Sequence, residues 1–215
     1  MEPTLITDDF VDRLSKLEKI CDHFHLSLQS GCNDTLKRMN RRYTTEEFEE
    51  GVIKLRKQYP NVALTTDVIV GFPGETDEEF NMTYEFLKKI KFYKMHVFKY
   101  SQRKGTKAAV MPNQIDGKIK EERSRKLIEL SNKYEKEYNR EYIGKTVQVL
   151  LEEQFSKNGI KFMKGHTTNY ILVEVKTDEN LDNTIKNIEI EDVHELGLIG
   201  HIKWNKGTVP LFHFL

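Results

Sequence analysis

A change in hydrophobic pattern at Gly144 divides this sequence into two parts. Before Gly144, segments with apolar residues at helical spacing alternate with short runs rich in β-branched residues, which is typical of βα units that build a parallel sheet. From Lys145 onward the apolar runs are short and strand-like, and Asn, Asp and Gly turns separate them. The sequence therefore predicts an α/β region over 1–143 and a small all-β domain of five short strands over 144–215.

Three strands are predicted in the α/β region, at residues 24–28, 62–70 and 95–100. The middle one, VALTTDVIV, is rich in β-branched residues, which favour strands, and it ends at the turn GFPGE. In a stable parallel sheet both faces are covered, and the unpaired backbone groups of both edge strands are paired or protected. Three strands alone do not meet these conditions. We therefore expect an open, incomplete barrel whose first strand has an edge that is unpaired or paired with a partner chain.

The helices between these strands have clear start signals. Thr44 with Glu47, and Thr76 with Glu79, match the capping box, in which each side chain accepts a hydrogen bond from the other's backbone N–H. A long charged helix is predicted over about 118–142. The apolar stripes of the four predicted helices consist of Phe10, Leu14 and Leu17; Phe48, Val52, Leu55 and Tyr59; Phe80, Tyr84, Leu87 and Ile90; and Leu127, Leu130, Tyr134 and Tyr138.

Composition indicates a soluble globular protein of the cytoplasm. Hydrophobic residues make up 38% and charged residues 32%, and 34 Lys and Arg balance 34 Asp and Glu, so overall charge does not point to a polyanionic partner. No apolar run approaches the roughly 20 residues that span a bilayer, and the amino terminus lacks a signal pattern. The two cysteines, Cys21 and Cys32, provide no disulfide framework and no zinc or cluster spacing; we expect buried or half-buried free thiols.

The segment TTDVIVGFPGET places polar groups at a strand end. Asp67 ends up close to the turn formed by Gly71, Pro73 and Gly74, and ligands of βα folds bind at the carboxyl ends of the strands. The same glycine-rich turn before a capped helix could cradle a phosphate, or it could be a purely structural turn with left-handed glycines. Spacing alone leaves these alternatives open.

Two further segments end in polar or charged clusters. In HLSLQSGCNDTLKRMNRRYT, Ser27 and Gln29 share one strand face and need polar partners, which a ligand could supply. The arginines that follow, Arg38, Arg41 and Arg42, are more simply explained as a solvated face.

In VFKYSQRKGTKAA, aromatic residues precede a basic loop. Phe98 and Tyr100 followed by Arg103, Lys104 and Lys107 combine a stacking surface with positive charge, which suits an adenine-containing ligand or RNA, although strand aromatics more often pack in a core. The nearby histidines have no carboxylate at ligand spacing, so we expect structural roles rather than metal binding for His23, His25 and His96.

The motifs HLSLQSG, MNRRYT, DVIVGFPGET and FKYSQRKGT, in this order, resemble the radical S-adenosylmethionine (SAM) methylthiotransferases. The β-rich tail with GHTTNYILVEV resembles the TRAM domain that ends these enzymes. The resemblance implies the C-terminal part of a radical SAM (βα) barrel over 1–143 and an OB-like TRAM barrel over 144–215. The residues of these motifs are most similar to those of the branch that acts on N6-threonylcarbamoyladenosine beside the tRNA anticodon. The isopentenyladenosine branch is second in similarity, and the branch that thiolates a ribosomal protein is third.

The resemblance also implies a chemistry and its cofactors. In the family, three cysteines bind a 4Fe–4S cluster, SAM chelates its fourth iron, and reductive cleavage yields a 5′-deoxyadenosyl radical that abstracts hydrogen from adenine C2. A second cluster in an amino-terminal domain supplies the sulfur, which another SAM methylates, and a reductant protein supplies electrons. Because this chain lacks both sets of cysteines, the resemblance assigns it no catalytic or metal-ligating residue, and we expect it to be inactive alone.

The residue roles that the resemblance implies concern SAM and RNA. The SAM-binding set is Ser27, Gln29, Asp67, Ile69, Gly71, Phe98, Tyr100 and Arg41. The set facing RNA, expected to be the anticodon stem-loop of tRNA, is Arg103, Lys104, Lys161, Lys164, His166 and Asn169.

Charge in the all-β part tempers the RNA interpretation. Between Lys145 and Trp204 there are seven Lys or Arg against ten Asp or Glu, and phosphate affinity comes mainly from cationic contacts. RNA binding there would need a focused patch around Lys161 and Lys164, aided by Tyr170; otherwise the barrel chiefly packs against the catalytic domain. Two other hypotheses stay open: a stand-alone RNA-binding module, and a βα enzyme that uses GFPGE for a phosphate. The tail Asn205–Leu215 either completes the barrel or is foreign to it.

Overall fold

The computed structural model describes residues 1–194 and 197–203. By its internal contacts the chain forms two compact units, Met1–Glu135 and Lys136–Leu215. The tail Asn205–Leu215 lies outside the described residues.

The first unit contains an open parallel sheet and its flanking helices. The elements in chain order are α1 (Asp8–Ser15), β1 (His23–His25), α2 (Asn33–Arg38), α3 (Thr45–Gln58), β2 (Ala63–Val70), α4 (Asp77–Ile90), β3 (Lys94–Lys99) and α5 (Gly117–Arg140), with short 3-10 helices at Pro3–Leu5 and Lys107–Val110. The residues of α5 up to Glu135 belong to this unit, and its last turn belongs to the second unit. The sheet order is β1-β2-β3, and all pairs are parallel.

The sheet is open, as the sequence predicts, but the free edge of its first strand is partly occupied. The backbone N of Met1 donates to the His25 carbonyl at 2.8 Å, and the Ser27 N–H donates to the Met1 carbonyl at 3.1 Å. The chain's own first residue thus satisfies part of the edge that the sequence predicts to be bare or paired with another chain.

The two faces of the sheet differ in chemistry. One face packs against the helices and contributes Leu26, Leu28 and Val68 to a single apolar cluster with residues of α3, α4 and α5. Alternate residues point to the opposite face, which carries polar side chains such as those of His25 and Asp67. The two-residue period therefore separates the stabilising core from a polar face on which a ligand can be bound.

Both predicted capping boxes are present. Thr44 and Glu47 exchange hydrogen bonds at the start of α3, and Thr76 and Glu79 do so at the start of α4. The first helix differs from its prediction, because it ends at Ser15, which leaves Leu17 outside it and 57% exposed.

The short helix α2 is not anticipated by the apolar pattern. Its six residues are too few to show a helical stripe, and its start has no side-chain cap. It is held by tertiary contacts instead, since Asn33 Oδ1 accepts from the Thr45 N–H at 2.8 Å.

Arg38 on α2 is not part of a solvated face, contrary to the sequence interpretation. Its guanidinium forms a two-pronged ion pair with Glu79, in which Nη1 lies 2.8 Å from Oε1 and Nη2 also contacts Oε2. Arg38 Nε also donates to the Pro73 carbonyl at 3.3 Å. The hydrogen bonds from Arg38 lower the pKa of Glu79 more than burial raises it. Arg38 thus joins α2, the GFPGE turn and α4.

A second, more deeply buried ion pair joins this turn to α5. Arg123 Nη1 lies 2.7 Å from Glu75 Oε1, and both side chains are at most 6% exposed. The same carboxylate oxygen accepts from the Gly71 N–H at 3.1 Å, and Arg123 Nη2 reaches Asp77 at 2.7 Å. Burial raises the pKa of Glu75, against the opposing effects of the Gly71 N–H and Arg123.

The second unit contains a closed barrel of five strands, which confirms the predicted strand number. The strands are β4 (Thr146–Lys157), β5 (Ile160–Thr167), β6 (Leu172–Lys176), β7 (Thr184–His194) and β8 (Gly197–Ile202), in the order β4-β5-β6-β8-β7 with β7 pairing back to β4. Gly165 permits a close strand crossing, because a Cβ at this position would lie 1.9 Å from the Leu150 carbonyl oxygen.

We predict that Arg38→Met destabilises the chain by about 1–3 kcal/mol near neutral pH, through loss of charged hydrogen bonds. Because the folded-state pKa of Glu79 lies below its unfolded value, this stabilisation is present above the unfolded pKa and is lost as pH falls through the folded pKa. Urea unfolding over a pH series should therefore show the difference between the variant and the native chain shrinking in acid.

The matched control is Lys89→Met, which removes an ion pair to Glu49 whose lysine is 62% exposed. This variant should change stability by at most about 1 kcal/mol. A destabilisation by Arg38→Met that is equally large in acid would show that packing, and not charge, accounts for the role of Arg38.

We predict strong coupling between Glu75 and Arg123. Either Glu75→Gln or Arg123→Met leaves a buried charge without its main partner, so each should cost about 3–5 kcal/mol. The double variant should cost clearly less than the sum, because no uncompensated charge remains and the side-chain carbonyl of the introduced glutamine can still accept from the Gly71 N–H. Urea unfolding of all four chains measures this; additive costs would rule out the buried charge as the cause.

Candidate functional site

A cavity of about 600 Å³ lies where the three parallel strands of the first unit end. Carboxyl ends of parallel strands are the usual ligand-binding edge of βα folds. The lining residues are Gln29, Asp67, Ile69, Phe98, Lys99, Tyr100, Ser101, Arg103, Thr106 and Ala108. A smaller cavity of about 480 Å³ between α4 and α5 contains none of the residues predicted to bind a ligand.

Five of the predicted SAM-binding residues meet in the larger cavity. They are Gln29, Asp67, Ile69, Phe98 and Tyr100, which lie far apart in sequence. The parallel register brings them together, because Ile69 pairs with Phe98, and Gln29 forms an isolated bridge with Val68.

The backbone of Gln29 has an unusual conformation. Its φ of 68° is in the left-handed region, which a residue with a side chain rarely adopts and which costs about 1–3 kcal/mol. Two sheet hydrogen bonds hold it there, from its N–H to the Asp67 carbonyl at 2.8 Å and from the Ile69 N–H to its carbonyl at 2.9 Å. Gln29 is 8% exposed, and its side-chain amide has no hydrogen-bond partner among the described residues. A ligand in the cavity would satisfy this amide.

Tyr100 adds a buried polar group to the cavity. Its hydroxyl is buried and has no hydrogen-bond partner within the part of the chain that the structure describes. Its ring is fixed, because it lies 5.2 Å from the Phe72 ring in an edge-on arrangement and 5.3 Å from Lys120 Nζ. Together with Gln29, this residue gives the cavity polar groups that fit a polar, adenine-containing ligand.

Asp67 belongs to a row of polar side chains that the sequence interpretation missed. Asp67 Oδ2 lies 3.2 Å from His25 Nε2, and His25 Nδ1 lies 3.1 Å from Thr65 Oγ1. The same Thr65 hydroxyl is 3.1 Å from His23 Nε2, and His96 lies beside His25 with ring centroids 5.9 Å apart. Burial, and next the proximity of His25, lowers the pKa of His23.

Spacing along the sequence does not reveal the carboxylate beside His25, because Asp67 lies 42 residues away. The signal was available in the strand register, since His25 pairs with Thr65 and the next residue on that face is Asp67. Among residues 1–194 and 197–203, no group of three or more His, Cys, Asp or Glu side chains is arranged to hold a metal ion.

Three residues of the predicted SAM-binding set do not line the cavity. Gly71 serves the turn instead: its φ is +71°, and a Cβ there would lie 2.3 Å from Lys120 Cγ. The Ser27 carbonyl accepts from the Tyr43 hydroxyl at 2.7 Å near the sheet edge. Arg41 lies 3.7 Å from Glu2.

The residues predicted to face RNA differ in their surroundings. Lys104 is exposed outside the cavity, and Lys161 is exposed on β5. Lys164 is paired with Glu153 at 2.8 Å, and His166 Nδ1 lies 2.5 Å from Glu152. The charge of Lys164 is thus compensated by a carboxylate on β4, whereas Lys161 has no carboxylate partner among the described residues.

Asn169 does not belong to that surface. It is 4% exposed, and its amide donates to the Tyr138 hydroxyl at 2.9 Å and also contacts the Tyr142 hydroxyl. Its position in the second unit is structural, because these contacts connect the end of α5 to the loop before β6.

Both cysteines are free thiols, as expected. Cys32 is buried, but Cys21 is exposed, contrary to the expectation that both are at least half-buried. Within the described residues, no helix is long and apolar enough to cross a membrane.

Comparisons with known proteins identify the family that this chain resembles. Residues 2–87 match the model of the radical SAM superfamily. The chain is 44% identical over 191 residues to threonylcarbamoyladenosine tRNA methylthiotransferase MtaB of Bacillus subtilis, covering 88% of this chain and 42% of that protein. It is 40% identical over 200 residues to tRNA-2-methylthio-N(6)-dimethylallyladenosine synthase of Alkaliphilus oremlandii, covering 93% of this chain and 42% of that protein.

A solved structure shows the same type of fold. Coproporphyrinogen III oxidase (HemN) from Escherichia coli, a radical SAM enzyme, superposes with a TM-score of 0.53 at 13% sequence identity, over 78% of this chain and 45% of that one. The chain spans less than half the length of the curated relatives that it matches. As far as its sequence extends, the chain belongs to the radical SAM methylthiotransferase family.

Proposed function

We propose that this chain is the carboxy-terminal portion of a tRNA methylthiotransferase and supplies part of its SAM site and of its RNA-binding surface. The observation that carries this proposal is the meeting of Gln29, Asp67, Ile69, Phe98 and Tyr100 in one cavity at the strand ends. Sequence similarity to two kinds of tRNA methylthiotransferase supports it. We expect the enzyme to act in the cytoplasm.

The residues of the cavity fit SAM. Phe98 is 53% exposed and, with Ile69, offers apolar surface for an adenine ring. The Gln29 amide and the Tyr100 hydroxyl offer hydrogen bonds, and Asp67 offers a carboxylate that His25 holds in place. When bound, SAM would supply the methyl group and, after accepting an electron from an iron–sulfur cluster, the means of removing hydrogen from adenine C2.

The clusters themselves are proposed to be held outside this chain. Cluster ligation requires thiolates, and the exposed Cys21 and the buried Cys32 do not form such a set. We propose that upstream cysteines hold two 4Fe–4S clusters and that a reductant protein supplies electrons to them.

We propose that the barrel is a TRAM domain of the OB-like type and that it contacts the anticodon stem-loop chiefly by stacking. His166 and Tyr170 lie with ring centroids 4.5 Å apart at an interplanar angle of 10°, and Tyr170 is 59% exposed. Stacking on aromatic rings needs no net positive charge, which suits a barrel whose Lys164 and His166 are paired with carboxylates.

The proposed substrate is N6-threonylcarbamoyladenosine at position 37, next to the anticodon. Two observations support this substrate: the residues of the motifs between Ala63 and Ala109, and the similarity to the Bacillus subtilis protein. The similarity to the dimethylallyladenosine synthase suggests a second candidate substrate, an adenosine with an uncharged prenyl substituent.

We predict that the intact enzyme, with its upstream cluster loop and reconstituted with iron and sulfide, converts threonylcarbamoyladenosine in tRNA to the 2-methylthio derivative. The assay combines SAM, a reductant and tRNA carrying either substituent, followed by mass spectrometry of the nucleosides. Product only from the prenylated tRNA would support the second candidate, and no product from either would refute methylthiotransfer.

We predict that Gln29→Leu in the intact enzyme raises the KM for SAM about 10-fold, as expected for a lost ligand hydrogen bond in a desolvated site. 5′-Deoxyadenosine release at limiting and saturating SAM measures this, and thermal unfolding checks the fold. Gln58→Leu, at an exposed position on α3, is the matched control. An unchanged KM for SAM in the Gln29 variant would exclude its amide from SAM binding.

A further inference from the structure

Four side chains on the polar face of the sheet form a continuous series of hydrogen bonds that ends in the cavity. They are His23 and His25 of β1, and Thr65 and Asp67 of β2. His23 Nε2 and His25 Nδ1 each lie 3.1 Å from Thr65 Oγ1, and His25 Nε2 lies 3.2 Å from Asp67 Oδ2. Of these four residues, Asp67 is the one that lines the cavity.

The donors and acceptors available fix the direction of each hydrogen bond when Asp67 is ionised and both rings are neutral. A carboxylate only accepts, so His25 Nε2 carries a hydrogen and donates to Asp67. A neutral imidazole has a single N–H, so His25 Nδ1 accepts from the Thr65 hydroxyl. That hydroxyl has one hydrogen, so its oxygen accepts from His23 Nε2. The contacts therefore select one tautomer for each histidine.

Thr65 connects the two histidines from a buried position. It is 5% exposed, and a buried hydroxyl depends on hydrogen bonds from the protein because water reaches it poorly. The strand register places His25 directly opposite Thr65, so the backbone of the sheet brings these two side chains together. The ring of His25 is thus held in one orientation as well as in one tautomer.

The orientation of His25 determines what the Asp67 carboxylate presents to the cavity. The terminal torsion of an aspartate is broad, so a carboxylate without a fixed partner takes up many orientations. Here Oδ2 contacts His25, whereas Oδ1 has no hydrogen-bond partner among the residues that the structure describes. A ligand donor can therefore bind Oδ1, and it finds a carboxylate that has already lost part of its rotational freedom.

We propose that His25 is a positioning residue for SAM binding: it aims the Asp67 carboxylate at SAM, and Thr65 and His23 hold His25 in the tautomer that does so. This inference rests on the proposed function. SAM carries hydroxyl and ammonium groups that can donate to a carboxylate. His25 is not among the residues that line the cavity, so its effect on SAM is exerted through Asp67.

The first test is His25→Phe in the intact enzyme, which keeps an aromatic ring but removes the N–H that holds Asp67. We expect the KM for SAM to rise about 10-fold with little change in kcat, because a hydrogen bond to a charged group is lost. His25→Gln should restore part of the loss, since its side-chain amide can donate to the carboxylate. 5′-Deoxyadenosine release over a range of SAM concentrations measures both constants, and thermal unfolding checks the fold.

His96→Phe is the matched control, because it makes the same change on the same face of the sheet. His96 is opposite Asp67 in the register of β3, and its ring centroid is 5.9 Å from that of His25. Within the described part of the chain it forms no hydrogen bond with Asp67. The KM for SAM should therefore be unchanged in this variant.

A double variant tests whether His25 acts through Asp67. Asp67→Asn alone should raise the KM for SAM, and adding His25→Phe to it should raise the KM little further, because the carboxylate that His25 positions is already gone. Multiplying effects would instead assign His25 an independent role in packing or in contacting SAM. An unchanged KM in either single variant would also overturn the proposal.

The tautomer gives a measurement that does not depend on activity. Long-range hydrogen–nitrogen correlation NMR of the 215-residue chain with isotope-labelled histidine should show His25 with its hydrogen on Nε2, and the His25→Phe spectrum identifies its signals. A hydrogen on Nδ1 alone would overturn the proposed arrangement. A native enzyme that neither binds SAM nor releases 5′-deoxyadenosine would refute the proposed function instead, so the two failures are distinguishable.

Discussion

Parallel pairing of β1, β2 and β3 decides which side chains of the first unit meet. The register that aligns His25 with Thr65 and Ile69 with Phe98 sends one set of alternate residues into the helical core and the other to the polar face. A shift by a single residue would exchange the two sets, burying Asp67 among apolar side chains. The cavity therefore depends on the same apolar contacts, such as those of Val68, that stabilise the sheet.

Loops at the strand ends are held by charge as well as by packing. Glu75 connects the Gly71 N–H to Arg123 of α5, and Arg38 connects the Pro73 carbonyl to Glu79 of α4. Each of these ion pairs includes at least one largely buried carboxylate, so removal of one partner leaves a charge in a poorly solvated place. The turn GFPGE is thus fixed from two sides.

The sequence predicts the strands, the capped helices and the five-stranded barrel well, because each has a local signal in periodicity or capping residues. It also predicts most of the cavity, since polar and aromatic residues at strand ends meet in a parallel sheet. It does not predict long-range pairing: Arg38 with Glu79, or Asn169 with Tyr138, leave no local pattern. The contact of His25 with Asp67 is an intermediate case. No local pattern indicates it, but it follows once the register of the strands is known.

Charge and stacking are divided between the two units. The barrel is net negative from Lys145 to Trp204, and its exposed stack of His166 on Tyr170 offers aromatic surface. Uncompensated positive charge lies instead in the loop around Arg103 of the first unit. Since ionic contacts to phosphate weaken with salt and stacking depends on it far less, variants of the two surfaces should respond differently to ionic strength.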